Sequence, residues 1–157
     1  MTTQDPFGRG FLVHDGDLVL EGGRPAEVTG IANLVQALTL RVLTPFGSDR
    51  FDPNYGLDVK QAFTAPNSTR IVKELLRLNL VSTLTADPRV SAVRRVTFDD
   101  DPDRLAADPD GGRIARISRK WTVVVELETA TGATARCTAV MPCSSRGGRP
   151  THRYRPS

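Results

Sequence analysis

The chain has 157 residues, 39% of them hydrophobic and 25% charged, with a net charge of +3. That length suits one domain with a substantial core, and the composition is that of a globular protein rather than a disordered or fibrous one. No apolar run reaches the ~20 residues of a membrane span, and the segment MTTQDPFGRG lacks the charged-then-apolar order of a secretory signal, so no membrane span and cytoplasmic synthesis are expected.

Residues 7–28 are turn-rich. Leu12-Val13 and Leu18-Val19-Leu20 are short apolar runs separated by Asp15-Gly16-Asp17, and Gly22-Gly23-Arg24-Pro25 breaks the chain again. The pattern predicts a short hairpin or extended arm, residues 1–28, laid on the domain. Ile31, Leu34, Val35, Leu38 and Val42 then recur at helical spacing and predict a helix with one core face, which Thr29 can cap and Thr44-Pro45 stops. A loop punctuated by Phe46-Gly47 and Asp52-Pro53-Asn54-Tyr55-Gly56 follows, and residues 57–65 read as a connector.

A second, longer helix is predicted from a cap at Asn67 or Ser68 to about Thr85, because Asp87-Pro88 cannot lie inside it. Its apolar residues, Ile71, Val72, Leu75, Leu76, Leu78, Leu80, Val81 and Leu84, cover more than a narrow stripe, so it is expected to pack on both the sheet and the first helix. Beyond Val90 the period changes to two. Residues 90–98 form a β-rich segment interrupted by Arg94 and Arg95, and residues 113–129 alternate, with Ile117, Trp121, Val123, Val125 and Leu127 on one face. Ala130-Thr131-Gly132-Ala133 makes a hairpin, after which Ala135, Cys137, Ala139 and Met141 continue the buried face.

Two charged segments frame this sheet. The acidic stretch 99–110 lacks the glycine and glutamate positions of a calcium-binding EF-hand loop and reads as a solvated hairpin loop. Residues 144–157 carry Arg146, Arg149, Arg153 and Arg155 in a Ser/Gly/Pro-rich setting and read as a disordered basic tail. No base-reading motif or array of stacking aromatics accompanies that tail, so nucleic acid is not an expected partner. Cys137 and Cys143 have neither CxxC spacing nor histidine company, which predicts free thiols and no metal site. The fold class expected is α+β: one domain, residues 1–143, with two main helices packed on one face of a small, mainly antiparallel sheet.

Catalytic signatures are missing. A glycosidase needs two carboxylates about 5–9.5 Å apart, one with a raised pKa; Glu27, Asp49, Asp52 and Glu74 are available, but none sits in a motif that makes one an acid and another a base. His14 and His152 have no paired nucleophile, and Gly22-Gly23 and Gly147-Gly148 are not phosphate loops. No catalytic residue and no cofactor are therefore expected.

As a string, Asn33-Leu34-x-Gln36-Ala37-Leu38, Arg41-Val42-Leu43-Thr44-Pro45-x-Gly47, Asp52-Pro53-x-Tyr55-Gly56 resembles the baseplate wedge family of contractile phage tails and contractile injection systems, some members of which carry the label "lysozyme-like". Asp87-Pro88-Arg89-Val90 resembles the family's acidic-Pro-Arg-apolar turn between its second helix and the sheet, where Glu is usual in place of Asp87. Phe7-Gly8-Arg9-Gly10 is similar to its opening segment, and the resemblance runs in order over residues 7–141. It implies a structural protein, present as six copies around the tube, that initiates the sheath by strand addition. The implied partners are sheath subunits, baseplate wedge proteins, and inner tube or hub proteins, with Asp87, Pro88 and Arg89 as the partner-binding turn. Assembly in the cytoplasm into a particle that can be released follows from the same resemblance. Where many family members read Gly-Glu after the Thr-Pro turn, this chain reads Gly47-Ser48-Asp49, which alters the position most easily nominated as a catalytic acid. A peptidoglycan hydrolase, as the old label suggests, and a regulatory binding module on the same fold are the alternatives; neighbouring sheath, tube and spike genes would favour the baseplate reading.

Overall fold

A computed structural model describes residues 5–64, 67–108, 110 and 120–142. The amino-terminal arm is more structured than one hairpin. β1 (Arg9–Phe11) pairs with β6 (Glu27–Thr29), β2 (Val13–His14) with β3 (Asp17–Leu18), and β4 (Leu20–Glu21) with β5 (Arg24–Pro25), all antiparallel. The two inner hairpins turn at Asp15-Gly16 and Gly22-Gly23, where both central residues have positive φ, the geometry that matches strand twist in two-residue turns. At the junction Leu12 N–H donates to Ala26 C=O, Ala26 N–H to Val19 C=O, and Val19 N–H to Leu12 C=O, at 2.8, 2.8 and 3.0 Å. The arm is thus a three-leaved clover closed by its own backbone, which satisfies donors that so short a set of strands would otherwise leave open.

α1 (Gly30–Leu43) follows. Leu34, Leu38 and Val42 are buried, and Val35 packs on the core, as the spacing predicts. Two details differ from that expectation. Ile31 is 38% exposed, and Thr29 occupies the N-cap position without a side-chain hydrogen bond. After the loop, the stretch read as a connector contains a short helix, α2 (Lys60–Thr64), whose Ala62 is buried. α3 (Thr69–Thr85) starts at Ser68, whose hydroxyl accepts from Ile71 N–H, and buries Val72, Leu76, Leu80 and Leu84 at helical spacing. Ile71, Leu78 and Val81 stay exposed on its far side.

The main sheet has the order β7-β8-β9, with β7 (Val90–Phe98), β8 (Lys120–Thr129) and β9 (Thr134–Pro142) all antiparallel. β8 and β9 pair without interruption from Lys120↔Pro142 to Glu128↔Thr134. β7 instead shifts register twice against β8, because Ser91 and Arg94 are each an extra residue, which is the physical form of the irregularity seen around Arg94. α1 lies over β9 and α3 over β7, and the two helices touch, so both cover one face of the sheet. This is the expected α+β arrangement. Alternation fixes the core: Trp121, Val123, Val125 and Leu127 of β8 and Ala135, Cys137, Ala139 and Met141 of β9 point to the helices. On the opposite face Arg94–Glu128 and Arg136–Glu126 ion pairs cross the strands.

The start of the acidic stretch, Asp99 to Asp101, is not the solvated loop its composition suggests, whereas the described residues beyond it are mostly exposed. Asp99 N–H donates to Thr122 C=O and its carboxylate accepts from Thr122 N–H, and Asp101 accepts from Phe98 N–H. Lys73, only 8% exposed, pairs with Asp100 and lies over the rings of Phe98 and Trp121 at 5.3 and 5.6 Å. Arg77 bridges Asp101 and Glu74. The carboxylates are used to hold buried or half-buried cations of α3, after which α4 (Pro102–Ala107) leads away. The segment 113–119 with Ile117, Cys143 and the basic tail 144–157 lie outside the described residues.

Candidate functional site

The motifs singled out in the sequence meet in space around the backbone of Phe7. Its carbonyl accepts from Asn33 Nδ2 at 2.9 Å and from Arg89 Nη1 at 3.2 Å, and its ring is buried. Gly10 lets β1 lie against α1: a Cβ there would stand 2.8 Å from Asn33 Oδ1. Gln36, one turn further along α1, accepts from Val13 N–H and donates to Phe11 C=O. The two polar residues of the first motif therefore tie the arm to the helix.

The rest of that motif builds the loop after α1. Leu57 N–H donates to Thr44 C=O at 2.8 Å and Phe46 N–H to Leu57 C=O at 3.1 Å, so the loop returns against its own start. Gly56, at φ +108°, is where the returning strand passes Thr44; a Cβ there would lie 2.5 Å from the Thr44 carbonyl oxygen. Inside the loop the Asp49 carboxylate accepts from the Phe51 and Asp52 N–H groups, and these bonds hold its pKa below the ordinary value. Phe51 is fully exposed at the tip. Tyr55 lies back toward α1, where the Arg41 guanidinium stands 4.9 Å over its ring. Burial pushes the Tyr55 phenol up, and the nearby Arg41 charge opposes that shift.

Asp87, Pro88 and Arg89 form the turn between α3 and β7. Asp87 is 7% exposed and receives Arg89 Nε at 2.9 Å, Arg89 Nη2 at 2.8 Å and Arg89 N–H at 3.0 Å. This two-pronged pairing, joined by the field of Arg41, holds the Asp87 carboxyl below its usual range despite its burial. Arg89 C=O accepts from Ala130 N–H in the β8–β9 hairpin. A turn arginine, judged by its position in the sequence, is expected to contribute little to the core. The structure corrects this: all three kinds of guanidinium nitrogen are engaged within the chain, stapling the turn to the arm. Pro88 alone of the three is exposed.

Periodicity and motif order located these residues but not their meeting; Arg41 beside Tyr55, and both within the electrostatic reach of Asp87, follow only from the fold. Among the described residues no group of three or more His, Cys, Asp or Glu is placed to hold a metal ion, and no helix is long and apolar enough to cross a membrane.

No protein-family model matches the chain, and no curated protein matches it. Among solved structures it is similar to a Geobacter sulfurreducens protein described as a "putative tail lysozyme", at 16% identity and a TM-score of 0.54, covering 83% of this chain and 100% of that one. The likeness is one of fold. That shared fold is the α+β arrangement described above, and it belongs to a protein whose name places it in a tail.

Proposed function

We propose that this protein is a structural component of the baseplate in a contractile tail or contractile injection system. Six copies surround the tube against inner tube or hub proteins, bind wedge proteins at the turn of Asp87, Pro88 and Arg89, and start the sheath by offering a strand edge to a sheath subunit. It is made and assembled in the cytoplasm as part of the particle. The observation that carries this reading is β9: a nine-residue outer strand in unbroken register with β8, whose outer edge pairs with nothing among the described residues. The other outer strand, β7, is spoiled for pairing by two bulges and by Arg94 and Arg95, a usual way to blunt an edge. An open, regular edge fixes the register of an incoming strand through backbone hydrogen bonds.

The hairpin sets which groups point outward. Thr129 N–H donates to Ala133 C=O, so hydrogen-bonded pairs fall at Leu127↔Ala135, Val125↔Cys137 and Val123↔Ala139, and the backbone N–H groups of Arg136, Thr138 and Val140 face the open side. Thr138→Pro removes one outward donor and no donor to β8, and its melting temperature is expected to stay within a few degrees of the parent. Particles assembled with it should lack sheaths by electron microscopy. Full-length sheaths on particles carrying the folded variant would exclude pairing along β9.

The hydrolase reading draws on the name of the similar structure, and the carboxylates argue against it. Asp49 is tied to two backbone N–H groups with its pKa lowered, the wrong direction for a general acid at neutral pH. Glu74, Asp100 and Asp101, which share a cleft, are each paired with Lys73 or Arg77. The purified protein is expected to leave a peptidoglycan suspension turbid while a hydrolase control clears it. Clearing that vanishes on replacing Glu27, Asp49 or Asp52 would overturn the structural reading.

A further inference from the structure

We propose that Arg41, stacked on Tyr55, is the docking point for a carboxylate side chain of a partner protein, next to the turn of Asp87, Pro88 and Arg89. The proposal deepens the function above and rests on it only for which protein supplies the carboxylate. Its physical basis is a cation left without an acid. Other inward-reaching cations of the domain are paired: Lys73 with Asp100, Arg77 with Asp101 and Glu74, Arg89 with Asp87. Arg41 is half-buried, its Nε is buried with no hydrogen-bond partner, and no ion pair to it exists among the described residues. Its guanidinium carbon stands 4.9 Å from the centroid of the Tyr55 ring, and its field reaches Asp87 without an ion pair between them.

The nearby acids are already spent. Asp87 takes two guanidinium contacts and a backbone N–H from Arg89, and Asp49 takes the Phe51 and Asp52 N–H groups. Arg41 lies in the last turn of α1, which suits its charge, but a helix dipole does not consume guanidinium N–H groups. Nε itself is closed to solvent, so an acid from outside meets the Nη groups, and charge-assisted hydrogen bonds there offset the cost of holding the cation half-buried.

The site is also rigid before anything binds. Arg41 projects from a packed helix, and Tyr55 is fixed by its N–H bond to Asp52 C=O and by the Gly56–Leu57 strand lying against Thr44. The cation–π contact with the Tyr55 ring restricts the guanidinium before an acid arrives, which lowers the entropy lost on binding. The ligand class follows from charge. The carboxylates of Asp87 and Asp49 oppose any incoming anion, a phosphate dianion more than a singly charged carboxylate, so one unpaired positive charge favours the monoanion. An aspartate or glutamate on the partner's surface meets these terms.

Two measurements test this. In the first, N-acetyl-glutamate amide is titrated into the protein while side-chain Nε–Hε signals of arginine are followed by NMR, with the Arg41 signal assigned by its loss in Arg41→Lys. A saturable shift of that signal in the millimolar range is expected, with no matching shift from N-acetyl-glutamine amide or from sodium chloride at equal ionic strength. Arg41→Lys, read through the Tyr55 ring signals, should bind about tenfold more weakly, because the fork is lost while the charge remains. An equal response to sodium chloride would overturn the proposal. The second measurement co-expresses the chain with the products of its neighbouring genes. Arg41→Glu, if its melting temperature is unchanged, should lose the wedge proteins that the parent retains, and suppressors restoring the complex should change an acid of one partner to Lys or Arg. Retention of the wedge proteins by Arg41→Glu would refute the proposal and leave the baseplate reading standing. A saturable carboxylate shift together with a parent that retains no baseplate protein would do the reverse.

Discussion

Gly56→Ala is expected to destabilise the domain by about 3–5 kcal/mol, combining a disallowed backbone region with overpacking against main chain. The added methyl would stand 2.5 Å from the Thr44 carbonyl oxygen, 2.9 Å from the Pro45 carbonyl carbon and 3.0 Å from the Phe46 nitrogen. All three are backbone atoms, so no side chain can rotate away to relieve the contact. The φ of +108° adds strain of its own for any residue with a Cβ. The returning strand must then lift, which breaks the Leu57 N–H bond to Thr44 C=O and withdraws Leu57, fully buried, from the core. A calorimetric melt should show the midpoint lowered by roughly 6–20 °C for a chain of this size. A variant that melts with the parent would mean that the loop does not close on Thr44.

Arg89→Ala is expected to cost about 2–4 kcal/mol, since it strips a nearly buried carboxylate of its cation and leaves the Phe7 carbonyl with one donor fewer. Asp87 would retain a single backbone N–H, from residue 89 itself. A double-mutant cycle separates the pair from the rest: Asp87→Ala with Arg89→Ala should cost clearly less than the sum of the single losses. Acidity provides a second readout. Asp87 is held below its ordinary 3.8, so its contribution is fully present above that value and is lost as the pH falls through the depressed folded value. The parent should therefore keep this share of its stability to lower pH than Arg89→Ala does. Additive single and double losses would show that the Asp87–Arg89 contact is incidental.

Much of the fold was legible because two periods dominate the sequence. Spacing of Leu34, Leu38 and Val42 gave α1, and the alternation from Trp121 to Met141 gave β8, its turn and β9. What escaped was tertiary. Nothing in the periodicity of α3 singles out Lys73, which is buried only because the β7–α4 corner brings Asp100 to it. For the same reason three consecutive aspartates look like solvated charge, while in the fold their oxygens meet Lys73, Arg77 and the Phe98 and Thr122 N–H groups. The order of motifs marked Asn33, Gln36, Arg41 and Tyr55 as a set, yet motif order carries no information on which contacts stay inside the chain. Asn33 and Gln36 bond to the arm, Asp87 and Arg89 to each other, and Arg41 is left with an aromatic ring.

The unequal edges of the main sheet also limit what the free protein can do with copies of itself. Endless stacking requires each copy to present two pairing edges, one for the copy before and one for the copy after, and β7 with its two bulges is a poor second edge. Contact through β9 alone is isologous: strand meets strand about a two-fold axis, both edges are consumed, and growth stops at a dimer. Among the described residues, the two bulges together with Arg94 and Arg95 on β7 therefore act against fibril growth through this sheet, while β9 stays open for a single partner strand.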